Sequence, residues 1–191
     1  CGALAAAAVR RVAVGSAAED SERVRRIFVQ HVAKPRRTLL HGQSWGALVA
    51  ARAAELYPRS WDGVLLTSGM LAGGPRAYDF RLDLRVLYQY LCHNHPRANE
   101  APYPLWMGLP DGSTMTSQDL TQRAEECLGL SKPVASRTPE QALKIKTLVD
   151  VLRVPEGSIQ GHLNWATFHF RDIARRSGGG VFGNIDARYT G

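Results

Sequence analysis

Leu39-Leu40-His41-Gly42-Gln43-Ser44-Trp45-Gly46-Ala47-Leu48-Val49-Ala50 is the stretch on which the fold turns. Ahead of it, Arg37 to His41 reads as a short buried strand. After it, Ala47 to Leu56 is a strong helix former, which Pro58 stops. Gly42, Ser44 and Gly46 form a G-x-S-x-G pentapeptide at the junction. Between a strand and a helix, that spacing makes a tight turn that lifts the serine hydroxyl out of the sheet. Side chains at Gly42 and Gly46 are expected to collide where strand and helix nearly touch, and Ser44 to accept a strained backbone. The alternative is an ordinary junction in which Ser44 caps the helix.

Composition bounds the rest. The 191 residues suit one domain, and 45% hydrophobic content is enough for a sizeable core. The net charge is +7, with a pI near 9.7, but the arginines come as scattered pairs: Arg10-Arg11, Arg25-Arg26, Arg36-Arg37 and Arg175-Arg176. No helix or loop gathers them among stacking aromatics, so a solvated surface is the reading and no nucleic-acid partner is expected. No apolar run approaches the roughly 20 residues of a membrane helix, and no membrane span is expected. The chain opens without Met or a signal-peptide pattern. It starts in an apolar run, Cys1 to Val9, that reads as a buried strand, and closes on Arg188-Tyr189-Thr190-Gly191. We expect an internal piece of a longer protein; a lipoprotein starting at a modified Cys1 is the alternative.

Along residues 1–77 strands and helices alternate. Ser16 or Asp20 is expected to cap a helix carrying Val24, Ile27, Phe28, His31 and Val32 at helical spacing, with His31 packed in the core and Lys34-Pro35 ending the helix. Gly63 to Ser68 reads as a further strand. Continuous apolar strands separated by helices imply a parallel sheet covered on both faces. Residues 78–177 show no strand. Leu82–Leu91 is expected as a helix, and a Pro-rich loop spans Ala101–Pro110. Ser117 should cap a helix with Leu120, Ala124, Cys127 and Leu128. Thr138-Pro139-Glu140-Gln141 is a capping box opening a helix to about Leu152, and a last helix carries Leu163, Ala166, Phe170 and Ile173 before Gly178. Residues 178–191 form a return segment. Cys92 and Cys127 each lie near a helix end and are expected to form a disulfide, which favours an exported protein; two unpaired packed cysteines are the alternative.

With the junction and the helical block in place, the chain resembles the α/β-hydrolase superfamily, in which this turn is the nucleophile elbow. It is most similar to bacterial esterase- or lysophospholipase-like members with a large helical insertion. The likeness rests on three segments. One is the elbow followed by Tyr57-Pro58-Arg59-Ser60-Trp61-Asp62-Gly63. Another is His93-Asn94-His95-Pro96 with Pro104-Leu105-Trp106-Met107-Gly108-Leu109-Pro110, and the third is Gly179-Gly180-Val181-Phe182-Gly183-Asn184. The resemblance implies an α/β fold: a partial α/β-hydrolase sheet with an inserted all-helical lid over residues 78–177. It also implies Ser44 as catalytic nucleophile and the Trp45 backbone N–H as one oxyanion-hole donor. The triad acid and histidine, and the second oxyanion donor, would lie outside this piece.

An internal triad drawn from Asp150, Asp172, His162 and His169 has the right order, but superfamily precedent argues against it. His41, His93 and His95 lack Cys or carboxylate partners at ligand spacing, so no metal is expected; nor is a cofactor. The expected activity is carboxylic-ester hydrolysis through an acyl-enzyme, on a small-molecule ester. Peptidase, thioesterase or acyltransferase chemistry, or a catalytically silent binding module, are the alternatives. Trp45, Trp106, Trp165, Phe168 and Phe170 point to an apolar or aromatic substrate group, unless those rings fill the helical block's own core. The 191-residue piece alone is expected to be inactive.

Overall fold

The computed structural model describes residues 14–178 and residue 182. The Cys1–Val9 strand and most of the return segment expected from sequence lie outside the described residues. The fold is mixed α/β, mostly helical, with a two-stranded parallel sheet. The chain divides into two compact units between Gly73 and Gly74.

Unit 1 runs α1 (Val14–His31), β1 (Leu39–Gln43), α2 (Trp45–Leu56) and β2 (Gly63–Thr67). The strands pair in parallel from Leu39 opposite Gly63 to Gln43 opposite Thr67. Parallel neighbours need a crossover, and α2 supplies it. The start of the pair is clamped twice. Asp62 donates its backbone N–H to the Thr38 carbonyl at 2.8 Å, and the Thr38 N–H donates to Asp62 Oδ2 at 2.7 Å. Ala47, Ala50 and Ala53 of α2 are buried; their small side chains let the helix lie close to the strands.

The sequence expectations need correction here. α1 already includes Ser16 and Asp20, so neither caps it. Its buried residues are Ala18 and Glu22, whereas Val24, Ile27, Phe28 and Val32 are exposed and His31 with them. The buried face of α1 carries Glu22 beside Ala18. Its carboxylate accepts from Arg25 and Arg26, and these bonds, with one from Ser60, hold it ionised at a pKa of about 2 against the cost of burial. The two-sided cover expected for the sheet is incomplete among the described residues, because Leu39, Val64 and Leu65 remain exposed.

Unit 2 comprises α3 (Gly74–Cys92), α4 (Ser117–Leu128), α5 (Pro139–Leu152) and α6 (Ile159–Ser177), joined by loops with 3-10 turns. The only extended pairing among its described residues is a bridge between Asn94 and Arg97. One core gathers Leu84, Leu87 and Tyr88 of α3 with Leu120, Ala124 and Leu128, Ile145 and Leu148, and Ile159 and Leu163. Each fully buried leucine there contributes about 1.5–3 kcal/mol. A second cluster joins Leu82, Ala166 and Phe170. The cap of α4 is Thr116, not Ser117. Thr116 accepts from the Asp119 N–H while the Asp119 carboxylate accepts from the Thr116 N–H, a complete capping box. Thr138 and Gln141 build the same device on α5, with Pro139 behind it, and Gly178 closes α6 in the left-handed conformation. Cys92 and Cys127 form a disulfide with their Cα atoms 5.6 Å apart, tying the ends of α3 and α4 together.

Candidate functional site

Ser44 stands alone between β1 and α2, at φ 54° and ψ −119°. A side chain is rarely found at positive φ, and holding one there costs about 1–3 kcal/mol. The cap alternative fails: the Ser44 side chain makes no capping hydrogen bond and is exposed. The strained turn is fixed by backbone. Ser44 donates its N–H to the Thr67 carbonyl at 3.0 Å, and its carbonyl accepts from Ala47 at 3.1 Å. Trp45 opens α2, so its N–H is among those a helix start leaves without an intrahelical acceptor, at the positive end of the helix dipole.

Only one of the two flanking glycines behaves as the sequence argument expects. A Cβ on Gly42 would run into the carbonyl oxygen of Gly46 and lie 2.7 Å from Ala47 Cα. A Cβ on Gly46 would meet nothing within 4 Å. The close approach is therefore between the strand's Gly42 and the backbone of the helix's first turn, and Gly46 contributes its carbonyl rather than its missing side chain.

No histidine among the described residues is hydrogen-bonded to the Ser44 hydroxyl. His41, three residues upstream on β1, places Nε2 3.4 Å from the Thr67 hydroxyl. His162 and His169 are both on α6 in unit 2. His162 sits edge-on to Phe80 with ring centroids 4.8 Å apart; burial, then the charge of Arg81, lowers its pKa. His169 lies against Trp165. The two carboxylates considered for a triad are occupied elsewhere, Asp150 by Lys146 and Asp172 by Arg176. Phe170 is fully buried, Trp165 stacks on Tyr78 and Phe168 packs against the core. These three rings therefore serve the interior of unit 2, whereas Trp45 and Trp106 are 42% and 39% exposed. A recess of about 540 Å³ in unit 2 is lined by Arg97, Tyr103, Asp119 and Arg123. Its charges are already matched, Arg97 by Glu126 and Arg123 by Glu100.

One polar cluster was not anticipated. Arg85, His95 and Thr167 are buried inside unit 2. Arg85 donates to the Thr167 hydroxyl at 3.0 Å and to the Tyr103 hydroxyl at 3.4 Å. His95 Nε2 lies 3.1 Å from Thr167 Oγ1, and its Nδ1 lies 3.2 Å from the Tyr103 hydroxyl. Gln89 holds the same loop, accepting from the His95 N–H and donating to the Pro96 carbonyl. The ring is thus filled on both nitrogens by hydroxyls that already accept from a guanidinium. A signal existed in the sequence: Arg85 falls at helical spacing between the buried Leu82 and Tyr88.

Its surroundings favour a neutral His95. Burial, then the neighbouring Arg85 charge, lowers its pKa to about 3. Above the ordinary value near 6.5 neither the folded nor the unfolded ring carries a proton, and the network contributes fully. As pH falls below 6.5 the unfolded chain gains a proton that the folded ring refuses. Stability then declines by up to about 1.4 kcal/mol per pH unit. Between pH 6.5 and 5 we expect a loss of about 2 kcal/mol, before Glu22 and Glu100 begin to titrate; both are held near 2 when folded. Urea unfolding of the protein at half-unit pH steps measures it. His95→Gln should flatten the slope by one proton; an unchanged slope would refute the assignment.

No family model, characterised protein or solved structure matches the chain. No described helix is long and apolar enough to cross a membrane. Among the described residues no three His, Cys, Asp or Glu side chains converge as a metal-binding set.

Proposed function

We propose that this chain carries the nucleophile of a serine hydrolase of the α/β-hydrolase type, acting on carboxylic esters. The observation behind it is the backbone of Ser44, a non-glycine residue at φ 54° whose exposed hydroxyl does not serve the helix it precedes. A silent binding module gains nothing from a serine on a strained turn; a nucleophile gains exposure and a fixed attack direction.

In this reading Ser44 Oγ attacks the ester carbonyl carbon as its proton passes to a histidine. The carbonyl π pair moves onto oxygen, and the Trp45 N–H donates to that oxyanion. One such donor contributes about 3–4 kcal/mol. Collapse of the tetrahedral intermediate expels the alcohol, which takes the proton, and leaves an acyl-Ser44. Water activated by the same histidine then releases the acid and restores the serine. The histidine, its acid and the second oxyanion donor come from chain other than the described residues, and residues 78–177 act as the helical lid. The Cys92–Cys127 disulfide supports an oxidising, exported setting, since the cytosol keeps thiols reduced.

The experiment is labelling of the full-length protein with a fluorophosphonate, together with p-nitrophenyl ester turnover. We expect one covalent adduct, on Ser44. Ser44→Ala should abolish the adduct and lower kcat by about 10⁴-fold or more. An adduct or turnover that survives Ser44→Ala would defeat the reading, as would a folded full-length protein that neither labels nor turns over.

A further inference from the structure

Beside the elbow lies a segment to which the proposed mechanism gives no part. β2 ends at Thr67, whose carbonyl accepts the Ser44 N–H at 3.0 Å. The next residue, Ser68, is again a non-glycine at positive φ, 48°. Two strained serines thus sit at the carboxyl ends of neighbouring parallel strands, the edge at which open α/β sheets bind ligands. Gly69 follows. A Cβ there would stand 2.8 Å from the Cβ of Ala47, a residue of α2's first turn, and 3.1 Å from Leu71 Cγ and Cδ2. Only a glycine lets the segment lie this close to the helix. The Leu71 side chain folds back onto Gly69, and the Gly73 N–H donates to the Met70 carbonyl at 3.0 Å, closing the turn that carries it. Leu71 nevertheless remains 55% exposed.

A lone exposed leucine needs no explanation. This one is held on a closed turn, its side chain beside the glycine that packs on the first turn of α2, four residues beyond the Thr67 carbonyl that fixes Ser44. We infer that Leu71 is a specificity-determining residue of the Ser44 site and forms the wall on which an apolar acyl chain of the substrate lies. The inference rests on the hydrolase reading of Ser44. Acetyl esters are too short to use this wall, while longer acyl chains gain from covering it, so the residue acts on chain-length preference and not on the chemical step.

The test compares kcat/KM of the full-length protein for p-nitrophenyl hexanoate and p-nitrophenyl acetate. Leu71→Asp should lower the hexanoate-to-acetate ratio by about tenfold or more, with acetate turnover within about twofold of the parent. Leu71→Met, apolar and of similar volume, should restore the ratio. An unchanged ratio in Leu71→Asp overturns the inference, as does an equal loss on both esters. Ser44→Ala run alongside separates the two claims. If turnover depends on Ser44 and the ratio does not move, only the Leu71 assignment fails. If turnover or labelling does not depend on Ser44, both fail.

Discussion

Gly42→Ala should destroy the elbow, whereas Gly46→Ala should spare it. The alanine methyl at position 42 would be forced into the Gly46 carbonyl and against Ala47 Cα, both backbone atoms that cannot rotate away. Relief requires β1 and α2 to separate, which breaks the Ser44–Thr67 bond and the burial of Ala47, Ala50 and Ala53. Overpacking against fixed structure costs about 3 kcal/mol and more where backbone must shift. Phosphonate labelling of Ser44 should fall below detection in full-length Gly42→Ala, and the urea midpoint should drop. Gly46 is the second residue of α2 and has open space around its α-carbon. Alanine there should raise stability by a few tenths to about 1 kcal/mol through helix propensity and keep labelling intact. Equal tolerance of both substitutions would refute this geometry.

Reduction of the Cys92–Cys127 bond should be nearly as damaging to unit 2. The bridge closes a loop of sequence separation 35, and the chain-entropy relation gives about 4 kcal/mol for that length. For a unit of this size the loss corresponds to a fall of roughly 15 °C in melting temperature. Thermal unfolding with and without dithiothreitol measures it, with Cys92→Ala/Cys127→Ala expected to match the reduced protein and to ignore the reductant. A melting temperature indifferent to dithiothreitol would mean that the thiols are unpaired in solution.

What could be read from the sequence was local. The strand–turn–helix junction at Ser44 is marked by residues within a few positions of it, and so is the Thr138–Gln141 box; both stand where the spacing puts them. Even the Thr116 cap was signposted by Asp119 three residues on, the partner Ser117 lacks. The α1 stripe misled because hydrophobic periodicity gives a helix its faces but not its neighbour. An acid, Glu22, turned inward once Arg25, Arg26 and Ser60 satisfied it. Arg85 and Thr167 bond across a sequence separation of 82, a distance no local pattern spans. Gly46 could not be told from Gly42 by spacing, since the two differ only in which side of the turn their missing side chain would enter.

The packing of α3 on α6 has a consequence for synthesis. Leu82 is covered by Ala166 and Phe170, and Arg85 finds its Thr167 partner on the same helix. When α3 has left the ribosome, about 80 further residues must be made before Phe170 can reach it. At 5–20 residues per second, a translating chain carries this apolar strip and an unmatched guanidinium in the open for on the order of 4–16 s. Leu128 emerges well before α6, so α4 can pack on Leu84 and Leu87 of α3 while the strip is still waiting.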